Sequence, residues 1–145
     1  MFKSILIPTD GSQLSDIAIA KGIALAKSLD AKVVGFYAIP PYHYVALEPE
    51  MLADTREAYE SDAKKHAEQY LAKIETAAKE AGVRCECFHD MEDHPYEAII
   101  KAAEKSGCDL IAMASHGRRG LRGILLGSET NLVLTHTKIA VLVFR

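Results

Sequence analysis

The sequence has no tryptophan, three cysteines and five prolines. No apolar run approaches the roughly 20 residues a bilayer span needs; "DLIAMA" and "IAVLV" stop far short. Positive charge is not in excess: 17 Lys and Arg face 20 Asp and Glu, a formal charge of -3 with pI near 6.1. Sequence-independent nucleic-acid binding needs a net basic face, so no nucleic-acid partner and no membrane partner are expected. The odd cysteine count gives no disulfide framework. Cys85 and Cys87, in "VRCECFH", share a face if that segment is a strand. A zinc site would want further Cys or His at ligand spacing, so these cysteines are expected as small buried hydrophobes. The opening "MFKSILIPTD" has one Lys, a short apolar run and no small-residue cleavage site. It is read as no signal peptide, and a cytoplasmic location follows.

What is present is regular alternation. The 145 residues fit one domain, 1–145, without linkers or repeats. A strand is expected at Ser4 to Ile7, stopped by Pro8. In the next segment Leu14, Ala18, Leu25 and Leu29, with Ile17 and Ala24 beside them, define a helical face capped by Ser12 or Ser15. "KVVGFYAI" is the second strand, ended by Pro40 and Pro41. A loop and a long helix follow. Pro49 suits the helix's first turn, Ala63, Ala67, Tyr70, Leu71, Ile74, Ala78 and Ala81 keep its period, and Gly82 stops it. "VRCECFH" is strand three and "DHPYEAIIKAAEKSG" a helix with Ile99, Ala102 and Ala103 inward. "CDLIAMAS" is strand four, "SETNLVLTHT" a short helix and "KIAVLVFR" strand five.

Strands joined by helices form parallel pairs with right-handed crossovers. Near-continuous apolar strands fit a sheet covered on both faces. The fold class is therefore α/β, a single doubly wound domain.

Ligands of open α/β sheets bind beyond the carboxyl ends of the strands. "PTDGS" leaves strand one there, and "MASHGRRGLRGILLGSET" leaves strand four. Gly127 and Ser128 open the next helix, whose first N–H groups and dipole make an anion site. Gly117 and Gly127 admit close backbone approach. With Gly120 and Gly123 they fall three or four apart, which also suits a packing face. The stretch is neither a P-loop, lacking Lys-Ser or Lys-Thr after the last glycine, nor a dinucleotide fingerprint, which follows the first strand. Asp10 can accept from a ligand hydroxyl or amino group, or make an Asx turn. Ser128 is placed as helix cap or phosphate contact. Arg118, Arg119 and Arg122 can supplement an anion site.

Those residues carry a resemblance. "MASHGRRGLRGILLGSET" resembles the signature of the universal stress protein family: glycine, two residues, glycine, nine residues, then glycine and Ser or Thr. The pattern falls on Ala114, Gly117, Gly127 and Ser128. "ILIPTDGS", "DLIAMASHG" and "IAVLVFR" are similar to the family's first, fourth and closing strands. The resemblance implies a five-stranded parallel sheet in the order 3-2-1-4-5 and a homodimer. It also implies that one branch binds ATP and another does not. By the same resemblance Pro8, Thr9, Asp10 and Ala38 surround adenosine. Met113, Ala114, His116, Gly117, Gly127, Ser128, Glu129 and Thr130 line ribose and phosphates. A Mg2+ ion would be held mainly by the phosphates, with no protein metal ligand. One departure stands out: Ala114 replaces the first motif glycine. Its methyl group is tolerable where φ is negative.

A receiver domain would need a second acidic residue after strand one and a Lys after strand five, where the sequence has a lone Asp10 and Arg145. No Ser-His-Asp set or nucleophile elbow is legible, so no catalytic residue is assigned and any ATP hydrolysis is expected to be slow. If strand five is an edge, its apolar residues invite a two-fold partner, which places a homodimer interface at Ile139 to Phe144. The expected function is an ATP-binding stress-response sensor or switch. The alternatives are a dimeric interaction module without nucleotide, or a pocket for AMP or a cyclic nucleotide.

Overall fold

The computed structural model describes residues 1–42, 53–117 and 126–145. Its elements are β1 (Ser4–Pro8), α1 (Gln13–Leu29), β2 (Lys32–Ile39), α2 (Ala53–Ala81), β3 (Cys85–Met91), α3 (Pro95–Lys105), β4 (Leu110–Ala114), α4 (Ser128–His136) and β5 (Ala140–Phe144). The strands form one sheet in the order β3-β2-β1-β4-β5, every neighbouring pair parallel. β5 is therefore an edge, as expected. The position suggested for Pro49 lies outside the described residues. Among those residues no helix is long and apolar enough to cross a membrane.

Strand alternation splits the core in two. Ile5, Ile7, Val33, Leu110 and Ala112 face α1 and α2, meeting Ile19, Ile23, Ala26, Leu71, Ile74 and Ala78. Leu6, Val34, Phe36, Ile111 and Met113 face the other way, onto Ala98, Ile99, Ala102 and Ala103 of α3 and Val133 of α4. Helices thus cover both faces. Each fully buried Ile, Leu or Val contributes about 1.5–3 kcal/mol through lost apolar surface, so these two layers dominate the stability of the sheet.

The expected inward face of α2 is borne out: Ala67, Leu71, Ile74 and Ala78 are buried, and Gly82 ends the helix at φ 72°. The face assigned to α1 is corrected. Its buried residues are Ser15, Ala18, Ile19, Gly22, Ile23 and Ala26. Of the predicted set only Ala18 is buried, while Ile17 is 45% exposed and Ala24 faces solvent. Close approach decides the rotation. A β-carbon on Gly22 would lie 2.7 Å from Ile7 Cδ1, so the helix turns its smallest residues to the sheet and leaves the leucines at the flanks. β1 also runs one residue further than expected. Pro8 pairs with Phe36, and the pairing of β1 with β4 runs only as far as Leu6.

Candidate functional site

The carboxyl end of β1 is tied down by its own polar side chains. Thr9 N–H donates to the Phe36 carbonyl at 2.9 Å. The Thr9 hydroxyl accepts from Gly11 N–H at 3.1 Å and meets the Ser15 hydroxyl at 3.1 Å. Gly11 has φ 79° and packs against the Tyr70 ring, a conformation and a clearance that only glycine satisfies. Ser12 caps α1 by accepting from Ser15 N–H at 3.2 Å. Asp10 Oδ1 accepts from Ser12 N–H at 2.9 Å, the Asx turn foreseen as one of its two roles. Its other oxygen faces the backbone of Gly117, where a β-carbon would overlap Oδ2. Asp10 and Gly117, far apart in sequence, are thus brought together.

The end of β4 is pinned from two sides. Ser115 N–H donates to the Phe144 carbonyl at 2.8 Å, and Gly127 N–H donates to the Ser115 carbonyl at 2.7 Å. The buried Thr130 hydroxyl donates toward the carbonyls of Ala114 and Ser115, at 3.0 and 3.2 Å. α4 therefore starts directly beside the end of β4. Gly127, not Ser128, is its N-cap, with φ -67° and ψ 159° and no side-chain cap bond. Ser128 is the first helical residue and exposed. The expectation that Ser128 caps the helix is corrected: the extended cap conformation falls on the residue before it. The first helical bond returns from Asn131 N–H to the Gly127 carbonyl at 3.0 Å. The N–H groups of Ser128, Glu129 and Thr130 thus have no helical partner, and no cap side chain competes for them.

His116 lies between these two clusters. Its Nδ1 is 3.0 Å from the Ser115 hydroxyl. Its Nε2 is buried and has no hydrogen-bond partner among the described residues. A buried unsatisfied polar atom costs about 1–3 kcal/mol, so a ligand atom that met it would find an interaction waiting.

The glycines of this edge serve the chain itself. A β-carbon on Gly127 would sit 3.1 Å from the Ser115 carbonyl oxygen and 3.3 Å from His116 Cα. Gly127 is therefore small so that α4 can approach β4. Ala114 belongs to regular strand, paired with Phe144, and its φ lies outside the left-handed region. The condition set for tolerating its methyl group is met. Met113 and Ala38 send their side chains into the apolar layer under α3 and α4. Glu129 turns its carboxylate away to accept from Tyr96 N–H at 2.9 Å, capping α3 where His94 makes no side-chain cap bond. Sequence reasoning missed this role of Glu129 and the tie that Ser115 makes between β4, β5 and the start of α4. The acid near a helix start was a signal for the first, but its partner helix was not.

Arg118, Arg119, Arg122, Gly120 and Gly123 lie outside the described residues. Among the described residues, no three His, Cys, Asp or Glu come together as a metal site. Two clefts of about 330 Å³ lie at the carboxyl ends of β2 and β3, to the side of the β1–β4 junction. One lies between β3 and α3, lined by Phe88, Asp90, Ala98 and Lys101 among others, and the other lies by Ile39, Glu60 and His89.

A sequence model of the Universal stress protein family matches residues 1–145. Universal stress protein MJ0531 of Methanocaldococcus jannaschii is 34% identical over 145 residues, covering 100% of this chain and 83% of its own. Universal stress protein MJ0577 of the same organism is 33% identical over 157 residues, covering 100% and 96%. The solved structure of MJ0577 superimposes with TM-score 0.84 at 29% identity, over 99% of this chain and 95% of that one. A universal stress protein crystallised in complex with cAMP shares the fold, with TM-score 0.73 at 23% identity and coverage of 99% and 97%.

Proposed function

Because this chain belongs to the universal stress protein family, we propose that it is a cytoplasmic sensor or switch that binds ATP at the carboxyl edge of its sheet. The observation that carries this reading is the start of α4. Gly127 caps without a side chain, so the N–H groups of Ser128, Glu129 and Thr130 offer an anion site. That site stands on the same edge as Asp10, Gly117 and the unpartnered Nε2 of His116. The residues fit the group. Pro8, Thr9, Asp10 and Ala38 border the adenosine side. Met113, Ala114, His116, Gly117, Gly127, Ser128, Glu129 and Thr130 would border ribose and phosphates, with Glu129 and Thr130 acting through their N–H groups, and Met113, like Ala38, through its backbone, since those two side chains lie in the apolar layer.

A Mg2+ ion would come with the phosphates and offset their charge; the described residues would supply N–H donors to the phosphates rather than ligands to the ion. The chain's own residues bind and orient. Among the described residues none is arranged as a general base, so occupancy rather than turnover is the signal, with hydrolysis slow at most. A second copy covering Ile139 to Phe144 of the β5 edge makes the unit a homodimer, supported by the apolar edge strand. Light scattering coupled to chromatography tests it, and a monomer at micromolar concentration would refute it.

A pocket that takes AMP or a cyclic nucleotide instead is the second reading, favoured by the cAMP complex of a protein with this fold. The reading without nucleotide rests on Ala114, and the regular strand geometry there weakens it. Calorimetric titration of nucleotide-stripped protein with ATP and Mg2+, beside AMP and cAMP, separates all three. Ala114→Gly run in parallel reports whether the methyl group matters. Heat from ATP in the parent supports the proposal, heat from AMP or cAMP alone supports the second reading, and no heat with any nucleotide in either protein sinks both.

A further inference from the structure

β3 is the second edge of the sheet, and its outer side has no strand partner among the described residues. The Arg84 carbonyl accepts from Val33 N–H at 2.8 Å. Backbone direction alternates along a strand, so Glu86 and Phe88 turn toward β2. Cys87 and His89, both half-buried, turn their N–H and C=O groups to the open side. The next outward donor, Met91 N–H, is taken up by Asp90 Oδ1 at 2.8 Å, which ends the open row.

Side chains alternate as well, and each face of this edge holds a cleft of about 330 Å³. On the α3 face Phe88, against Phe36 at 5.2 Å between ring centres, forms an apolar floor with Ala98 and Ala102. On the α2 face Ile39 and Met91 do the same beside His89, and Met91 is 40% exposed. Asp90 lines both clefts. Open main-chain groups thus run between two apolar depressions at one level of the strand.

We propose that β3 is a docking edge for an extended peptide segment of a partner protein, apolar at two successive positions and flanked by Lys or Arg. An added strand satisfies the outward N–H and C=O groups, and its successive side chains fall on opposite faces. One enters the cleft over Phe88 and the next the cleft beside Met91. The flanking charge follows from the edge itself. From Cys85 to His94 the chain carries Glu86, Asp90, Glu92 and Asp93 and no Lys or Arg. Lys32 bridges to Glu86 and Lys101 to Glu92, each at 3.0 Å, but Lys101 also faces Glu97 and Asp90. Lys64 and Lys105 share the clefts with Glu60 and Glu104, so acids still outnumber cations. The same acids exclude a second β3 as the occupant, since two such edges would set carboxylate against carboxylate.

The test exposes the whole chain to an array of peptides Lys-Thr-X-X-Thr-Lys, with X running through the apolar residues. Members of the array should bind, less tightly as salt rises. The same peptides with Glu in place of Lys should bind about tenfold or more less tightly. His89→Pro removes an outward N–H and leaves the bonds to β2 in place. It should keep the parent's circular dichroism and lose about tenfold in peptide affinity. No binding anywhere on the array, equal binding of the Glu peptides, or binding that His89→Pro leaves intact overturns the proposal. Should that variant not fold, amide exchange in the parent decides. Bound peptide must slow the Cys87 and His89 amides, and unchanged rates overturn the proposal equally. A peptide-free parent that assembles beyond a dimer in light scattering would make β5 of another copy the occupant, and overturns it too.

Discussion

The backbone of Gly117 lies against the Asp10 carboxylate so closely that any β-carbon at 117 would overlap Oδ2. Asp10 is not free to retreat without cost, because its other oxygen holds Ser12 N–H at 2.9 Å and so shapes the entry to α1. The contact joins the ends of β1 and β4 across the proposed nucleotide edge. Gly117→Ala should push these two loops apart. ATP affinity is expected to fall by about tenfold or more, or about 1.4 kcal/mol. Folding stability should drop by about 1 kcal/mol or less, since residue 117 is exposed. Titration calorimetry and a thermal melt on the same sample check both halves. A variant that binds as the parent does would show that the contact shapes only the loops.

Thr130 presents the complementary case, a polar residue buried to 3% exposure. Its hydroxyl serves the Ala114 and Ser115 carbonyls and so holds α4 to the end of β4. Thr130→Val keeps the shape and removes the donor. Leaving the Ala114 carbonyl short of its partner should cost about 1–3 kcal/mol, read from urea denaturation. Thr130→Ser should recover most of it. If valine proves neutral, the pinning role is refuted.

The legible part of this molecule is the part governed by pattern. Apolar runs marked β1, β2 and β4 most clearly, because a strand buried on both faces has few polar residues to blur it; the edge strand β3, with Glu86, His89 and Asp90 along it, is not such a run. α2 was legible for a similar reason: Ala67, Leu71, Ile74 and Ala78 repeat at helical spacing against a charged background. α1 was misread because size, not hydrophobicity, selects its inner face. Leucines outweigh Gly22 in any count of apolar residues, yet Gly22 is what lets the helix reach Ile7. At the site, the glycines and Asp10 stood out in the chain, but their partners did not. Nothing local says that Gly117 meets Asp10, that Gly127 meets Ser115, or that Glu129 caps a different helix. Those are facts of topology, created when β1 and β4 become neighbours.

Gly22→Ala tests that account of α1. Alanine gains about 1 kcal/mol of helix propensity over glycine, but its methyl group would press on Ile7 Cδ1 at 2.7 Å. Overpacking a filled core costs typically about 1–3 kcal/mol, so net destabilisation is expected. Ile7→Val removes the colliding atom. The double variant should be more stable than the sum of the two single changes predicts, a coupling of about 0.5 kcal/mol or more. Simple additivity would mean that α1 yields without resistance.

Asp109 supplies a pH-dependent contribution at the opposite end of the sheet. Its carboxylate accepts from Lys3 N–H at 2.9 and 3.1 Å and from Ser4 N–H at 3.0 Å, fastening the start of β1 to the start of β4. Partial burial opposes the charge, but these N–H donors and the nearby amino terminus outweigh it, so its pKa lies below the ordinary value. A depressed carboxylate stabilises the fold above its unfolded pKa of about 3.9. That stability is lost as pH falls through the lower folded value. Asp109→Ala should therefore be less stable than the parent at neutral pH, with the gap closing below about pH 4. The side chain is exposed, so screening keeps the gap small, below about 1 kcal/mol. Denaturation at a series of pH values decides it. A gap that stays constant through the acid range would mean that the carboxylate charge contributes nothing and that the loss is one of turn geometry alone.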